Sequence, residues 1–111
     1  MATELNLEAL RDEIDKIDEV IVRLLDSRAR CAYSVGRLKH ALGRPVYEPA
    51  REAAVIAHVR QVNEGLGGPL DGDAVARLYE RIMDEARRIQ RLEAERDALE
   101  KQAKTDVKAG L

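Results

Sequence analysis

At 111 residues the chain has the length of one domain. With three Tyr and neither Phe nor Trp, its core has to be built from Leu, Ile, Val and Ala. Charged residues make up 36% of the chain and the formal net charge is −2, with Lys and Arg spread along its length. That leaves no basic patch or stripe for nucleic acid, and no apolar run approaches the roughly 20 residues of a membrane span. The N-terminal stretch MATELNLEAL has neither a basic segment nor an apolar one, so no signal peptide is expected. The single cysteine, Cys31, cannot form an internal disulfide and reads as a free structural thiol, which suits a reducing cytoplasm.

The abundance of Ala, Glu, Arg and Leu predicts long amphipathic helices. The first helix runs from about Leu5 to Leu42. Its apolar positions Leu7, Leu10, Ile14, Ile17, Ile21 and Leu24, then Cys31, Val35 and Leu38, follow a heptad seam. Asn6 can cap its start, and Gly43 followed by Arg44-Pro45 stops it. A second helix begins at Pro49, a favoured first helical position. It carries Glu52, Val55, Ile56, Val59 and Val62 on one stripe and stops near Asn63-Glu64-Gly65. The segment Gly65–Pro69 is a loop by composition. The third helix begins after Asp71, with Val75, Leu78, Tyr79, Ile82, Ala86, Ile89 and Gln90 on one face. Its pattern weakens through Leu92 and Leu99, and Lys101–Leu111 is expected to fray. No strand of any length is predicted. The fold class is therefore all-α, with three helices per chain: one long, one short and one medium-long.

The long helix implies a second chain. It would measure about 57 Å against roughly 24 Å for the short one, at 1.5 Å per residue. One chain cannot cover that seam, and soluble monomers avoid long exposed apolar stripes. A two-fold homodimer is the commonest remedy. Arg11 and Lys39 occupy the same heptad position but lie about 42 Å apart along the helix. Antiparallel packing of two such helices would bring Arg11 of one chain near Lys39 of the other, giving two equivalent sites built from both chains.

Charges stand where apolar residues are expected. Arg28 occupies a seam position. Glu52 opens the apolar stripe of the second helix, and Gln90 lies on the apolar face of the third. A desolvated guanidinium needs an anionic partner, so an internal ion pair or a register-setting polar residue is one reading. Taken together, several inward-facing cations with fewer anions describe a site for an anionic ligand. The planar fork of Arg favours one that carries carboxylates.

The strings LEALRDEIDKID, LLDSR, VGRLK and RPVYEPAREAAV carry Arg11, Arg28, Lys39, Arg44-Pro45-Val46 and Arg51-Glu52 in order, with Gln90 further on. Over residues 5 to 92 this order resembles the all-α chorismate mutases. The resemblance implies an intertwined homodimer and the cofactor-free, metal-free rearrangement of chorismate to prephenate, in phenylalanine and tyrosine biosynthesis. It implies a mutase domain over residues 1–92, with 93–111 as a charged helical extension or frayed tail. It further implies that Arg11 of the partner chain and Arg28 hold the two carboxylates of chorismate. Lys39 and Gln90 would donate to the ether oxygen, Glu48 and Glu52 would meet the ring hydroxyl, and Arg51 would support the carboxylate side.

Two positions depart from the family pattern. Glu48 stands where Asp is frequent, which keeps the charge and adds a methylene. Ala86 stands in the substrate-binding position where a serine is common, so one hydrogen bond to a carboxylate is lost or replaced. Arg87 and Arg88, next in the chain, are expected to point off that face. Two other functions remain open. One is an isochorismate-pyruvate lyase on the same scaffold, against which the two carboxylates Glu48 and Glu52 count. The other is a non-catalytic helical dimerisation module, against which the convergence of polar groups from three helices counts.

Overall fold

The computed structural model describes residues 6–110. Leu5, where the spacing starts the first helix, lies outside them, as do Met1–Glu4 of the N-terminal stretch and Leu111 at the end of the tail. Three helices follow in order, α1 (Leu7–Ala41), α2 (Pro49–Leu66) and α3 (Gly72–Gly110), and no strand occurs among the described residues.

Each helix starts and stops for a local reason. The Asn6 side chain accepts the Ala9 N–H at 2.7 Å and caps α1. At the other end the N–H of Arg44 donates to the Lys39 carbonyl at 2.8 Å and that of Gly43 to the His40 carbonyl at 3.2 Å. This double closure is a Schellman turn, and it places Gly43 at φ 69°, where a Cβ would be strained. Helix α2 begins with Glu48 in extended backbone and Pro49 in the first turn. It ends later than the composition suggests. Gly65 is helical, and the left-handed residue that ends α2 is Gly67, at φ 62°. The Asn63 amide then fastens the loop by donating to the Leu70 carbonyl at 2.9 Å. Asp71 caps α3 by accepting the Ala74 N–H at 2.7 Å.

The chain divides into two compact units at Cys31/Ala32. In the first unit the seam residues Leu7, Leu10, Ile14, Ile17, Ile21 and Leu24 are all exposed, Leu24 to 64%. In the second, α2 packs on α3. The buried residues of α3 are Ala76, Met83 and Gln90, spaced seven apart along one line. Val75, Tyr79, Ile82, Ala86 and Ile89 flank that line half-buried, whereas Leu78, expected on the same face, is exposed. On α2, Val55, Ile56 and Val59 are half-buried and Val62 is exposed. No helix among the described residues is long and apolar enough to cross a membrane.

Residues 101–110, expected to fray, are helical. Helix α3 continues through Gly110, because polar side chains one turn apart pair along it. Asp97 meets Lys101 at 3.2 Å and the Gln102 amide donates to Asp106 at 2.9 Å. Asp97 also contacts His40 of α1 at 2.6 Å, which ties the extension to the C-terminal end of α1. Lys101 is the main cause of an Asp97 carboxyl that sits below its ordinary range, and the His40 contact adds to it. A carboxyl depressed by folding contributes stability above its unfolded pKa and loses it as pH falls through the folded one. Acidification below about pH 4, the ordinary carboxylate range, should therefore reduce the helix content of the extension. Circular dichroism should show that step in the native chain and a smaller one in Asp97→Asn. Identical acid titrations of the two would remove the role given to Asp97.

Candidate active site

The site grows from the Schellman turn. By reversing the chain after α1, the turn carries Pro45-Val46 back past the last turn of α1, and the Val46 carbonyl accepts from Lys39 Nζ at 2.8 Å. Two residues on, Glu48 places Oε1 at 3.2 Å from the same ammonium. Its other oxygen meets Arg44 Nη2 at 3.0 Å. From α3, Gln90 Oε1 accepts from Lys39 Nζ at 3.3 Å. An ammonium has three N–H donors, and the three acceptors of Lys39 are a backbone carbonyl, an amide and a carboxylate. The Lys39 side chain is only 13% exposed.

Gln90 is the one buried polar residue among those described. Its amide nitrogen donates to the Ala32 carbonyl at 3.0 Å, which leaves a second N–H on the same nitrogen. This close approach of α3 to α1 depends on Gly36. A Cβ built at Gly36 would lie 2.7 Å from Gln90 Cγ and 3.1 Å from its Cβ. Those atoms are near the root of the side chain and cannot swing aside.

A second layer lies one helical turn away. Glu52 follows Glu48 by one turn of α2, and Arg87 precedes Gln90 by three residues on α3. Arg87 Nη1 donates to Glu52 Oε1, and Nη2 donates to Asp84 Oδ1 at 3.1 Å. Its guanidinium carbon lies 5.7 Å from the centre of the Tyr47 ring. The bond to Glu52 is the main cause of an Arg87 affinity for its proton above the ordinary value; partial burial opposes it, and Asp84 adds to it.

The cluster thus brings together three residues expected at the site, Lys39, Glu48 and Gln90, with Glu52 in the adjoining layer. Arg51 is exposed and Ala86 half-buried. In the first unit Arg11 is exposed, 3.5 Å from Glu8, and Arg28 is half-buried. Arg87 does not point off the face as expected; it reaches across to α2. Helical geometry explains the difference, because at 3.6 residues per turn position 87 is only about 60° around α3 from Gln90. Arg88, about 160° around, is exposed as expected. Gly36 and Arg44 also carry the geometry, and the sequence holds a signal for both: a glycine one turn before Lys39, and a cation four residues before Glu48.

Fold and cluster together define an all-helical protein that gathers its polar groups where the end of α1, the start of α2 and the middle of α3 meet. The chain belongs to the chorismate mutase type II family, whose model matches residues 10–91. It is 48% identical over 88 residues to the bifunctional chorismate mutase/prephenate dehydratase of Pseudomonas aeruginosa, covering 75% of this chain and 23% of that one. It is 39% identical over 80 residues to the T-protein of Enterobacter agglomerans, covering 72% of this chain and 21% of that one. The chain therefore spans less than a quarter of the length of these relatives. Among solved structures it resembles Form II of the chorismate mutase from Thermus thermophilus, with a TM-score of 0.72 and 32% identity. That match covers 77% of this chain and 93% of the other.

Gly36→Ala tests the close approach directly. Overpacking costs roughly 1–3 kcal/mol, and Ala regains about 1 kcal/mol of helix propensity over Gly. The variant should be less stable to urea, with the Gln90 side-chain amide shifted in nitrogen-edited NMR. A variant stabilised by the full propensity gain, with an unmoved Gln90 signal, would contradict the packing.

Proposed function

We propose that the chain is a chorismate mutase that rearranges chorismate to prephenate with no cofactor or metal. In this reading it works in the cytoplasm as an intertwined homodimer, each of whose two sites draws on both chains. The observation that carries the reading is the convergence of Lys39, Glu48 and Gln90 on one half-buried cluster. Residues 1–92 form the catalytic domain, and 93–110 extend α3.

The reaction is pericyclic, so it needs no nucleophile and no acid–base pair. It needs the enolpyruvyl arm folded over the ring, and clamps on the two carboxylates freeze that shape. Arg28 and the partner subunit's Arg11 serve as the clamps, with Arg51 in support. Ala86 supplies no hydroxyl there, so the arginines carry that carboxylate. As the carbon–oxygen bond breaks, negative charge grows on the ether oxygen. Donors already aimed at it stabilise the transition state more than the ground state. The second amide N–H of Gln90 is one donor and Lys39 the other. The Lys39 ammonium gains a free N–H when Glu48 turns from it to the ring hydroxyl of the substrate, which Glu52 also meets. The exposed seam of the first unit supports the dimer, because a second chain would cover it.

The direct test is loss of chorismate absorbance with purified protein, the product being checked as prephenate against released pyruvate. Prephenate is expected. Pyruvate released from isochorismate would assign the chain to lyase chemistry, and turnover of neither compound would make it a helical module. Lys39→Ala should lose most of its turnover while remaining dimeric, since one preorganised donor supplies roughly 3 to 4 kcal/mol of barrier lowering in comparable sites. Near-normal kcat in that variant would refute the ether-oxygen role.

The shared site has its own test. Arg11→Ala and Lys39→Ala dimers should each be poor. Mixing them should recover activity, because a heterodimer concentrates both defects in one site and leaves the other intact. Free subunit exchange with no recovery would exclude sites built from both chains.

A further inference from the structure

Arg87 has no part in the roles assigned above. Its guanidinium nonetheless lies among groups from three segments. Asp84 sits one turn earlier on α3, Glu52 lies on α2, and Tyr47 belongs to the loop between α1 and α2. The Arg87 and Glu52 side chains are each only 23% exposed, so their contact is largely sheltered from water. A charge-assisted bond of this kind fixes the plane of a carboxylate as well as its place. Glu48, one turn away on α2, is held in a similar manner by Arg44 and Lys39. The two carboxylates are thus oriented by different cations, and Glu52 receives its own from α3.

We propose that Arg87 is a positioning residue for substrate recognition, acting through Glu52. By engaging one oxygen of the Glu52 carboxylate, it turns the other toward the ring hydroxyl of the substrate. This rests on the reading of Glu52 as a partner of that hydroxyl in chorismate. The hydroxyl takes no part in the bond changes of the rearrangement. A contact to it is made equally in the ground and transition states, so weakening it raises KM and leaves kcat in place. Asp84, being anchored on the same helix, keeps the guanidinium extended toward α2 whether or not substrate is bound.

The experiment is steady-state kinetics on chorismate with the native chain, Arg87→Met, Arg87→Lys, Glu52→Gln and the double variant Arg87→Met with Glu52→Gln. Each is measured at a temperature where circular dichroism shows it folded. Arg87→Met should raise KM about tenfold, with kcat within about twofold of native. Arg87→Lys, which keeps the charge, should recover most of that loss. On the Glu52→Gln background, Arg87→Met should raise KM no further, because the residue through which it acts is gone. A purely structural role would instead lower the active fraction, reducing kcat at unchanged KM, and that outcome would overturn the proposal. So would an unchanged KM in Arg87→Met, or an equal rise on both backgrounds. A native chain that does not turn over chorismate removes the proposed function, and this inference with it; a native chain that does, with KM indifferent to Arg87, removes the inference alone.

Discussion

The polar site depends on how closely α3 can approach α1, and that distance is set by the absence of a side chain at Gly36. Gln90 lies over the glycine, with its Cγ only 2.7 Å from where a Cβ would stand. From there its amide spans two turns of α1, giving a hydrogen to the Ala32 carbonyl and accepting one from Lys39. Move α3 outward by a methyl group and both bonds lengthen together. The Lys39 ammonium would then keep its loop partners, Val46 and Glu48, and lose the one that connects it to α3. A glycine inside a helix costs about 1 kcal/mol relative to alanine. Here that cost is offset by a buried amide with its polar atoms satisfied, which would otherwise carry a desolvation penalty.

The loop between α1 and α2 is the second determinant. A Schellman turn is short and stiff, and its two hydrogen bonds fix the direction in which the chain leaves α1. Pro45 then removes a donor and restricts φ. As a result the Val46 carbonyl and the Glu48 carboxylate arrive at Lys39 from the same short excursion of the chain. Lys39 therefore contacts acceptors that lie close in sequence and one that lies far away, which makes it the residue through which loop and helix positions are coupled.

Much of this is legible in the sequence. The three helices and their order follow from periodicity, as does the start of α3 after Asp71, and the capping role of Asn6 follows from side-chain chemistry. The stop after α1 is readable because Gly43 and Pro45 act locally. The end of α2 is not. Gly65 and Gly67 are equally able to adopt positive φ, so composition alone does not say which one ends the helix. The order in the tail escapes a reading by apolar periodicity, because it rests on pairings between polar side chains one turn apart and on a non-local tie to His40. Of the site, Lys39, Glu48 and Gln90 stand out as polar residues in an ordered string, and they do converge. Arg87 does not, since an arginine beside another arginine on a charged helix resembles a solvated surface. The apolar face of α3 lies one residue away from where its larger side chains suggest: the line through Ala76, Met83 and Gln90 is its centre, and the bulkier residues flank it.

That line also bears on how the protein behaves in dilute solution. Ala76 and Met83 are the only buried hydrophobic side chains among the residues described, and no large side chain there is fully enclosed. So small an interior cannot supply the area from which hydrophobic stabilisation comes. If a second copy covers the seam of α1, as proposed, most of the stability resides in the contact between chains. Folding and association then become one equilibrium, and the midpoint of unfolding rises with protein concentration. The amount of protein in the cell would thereby set how much of it is folded at all.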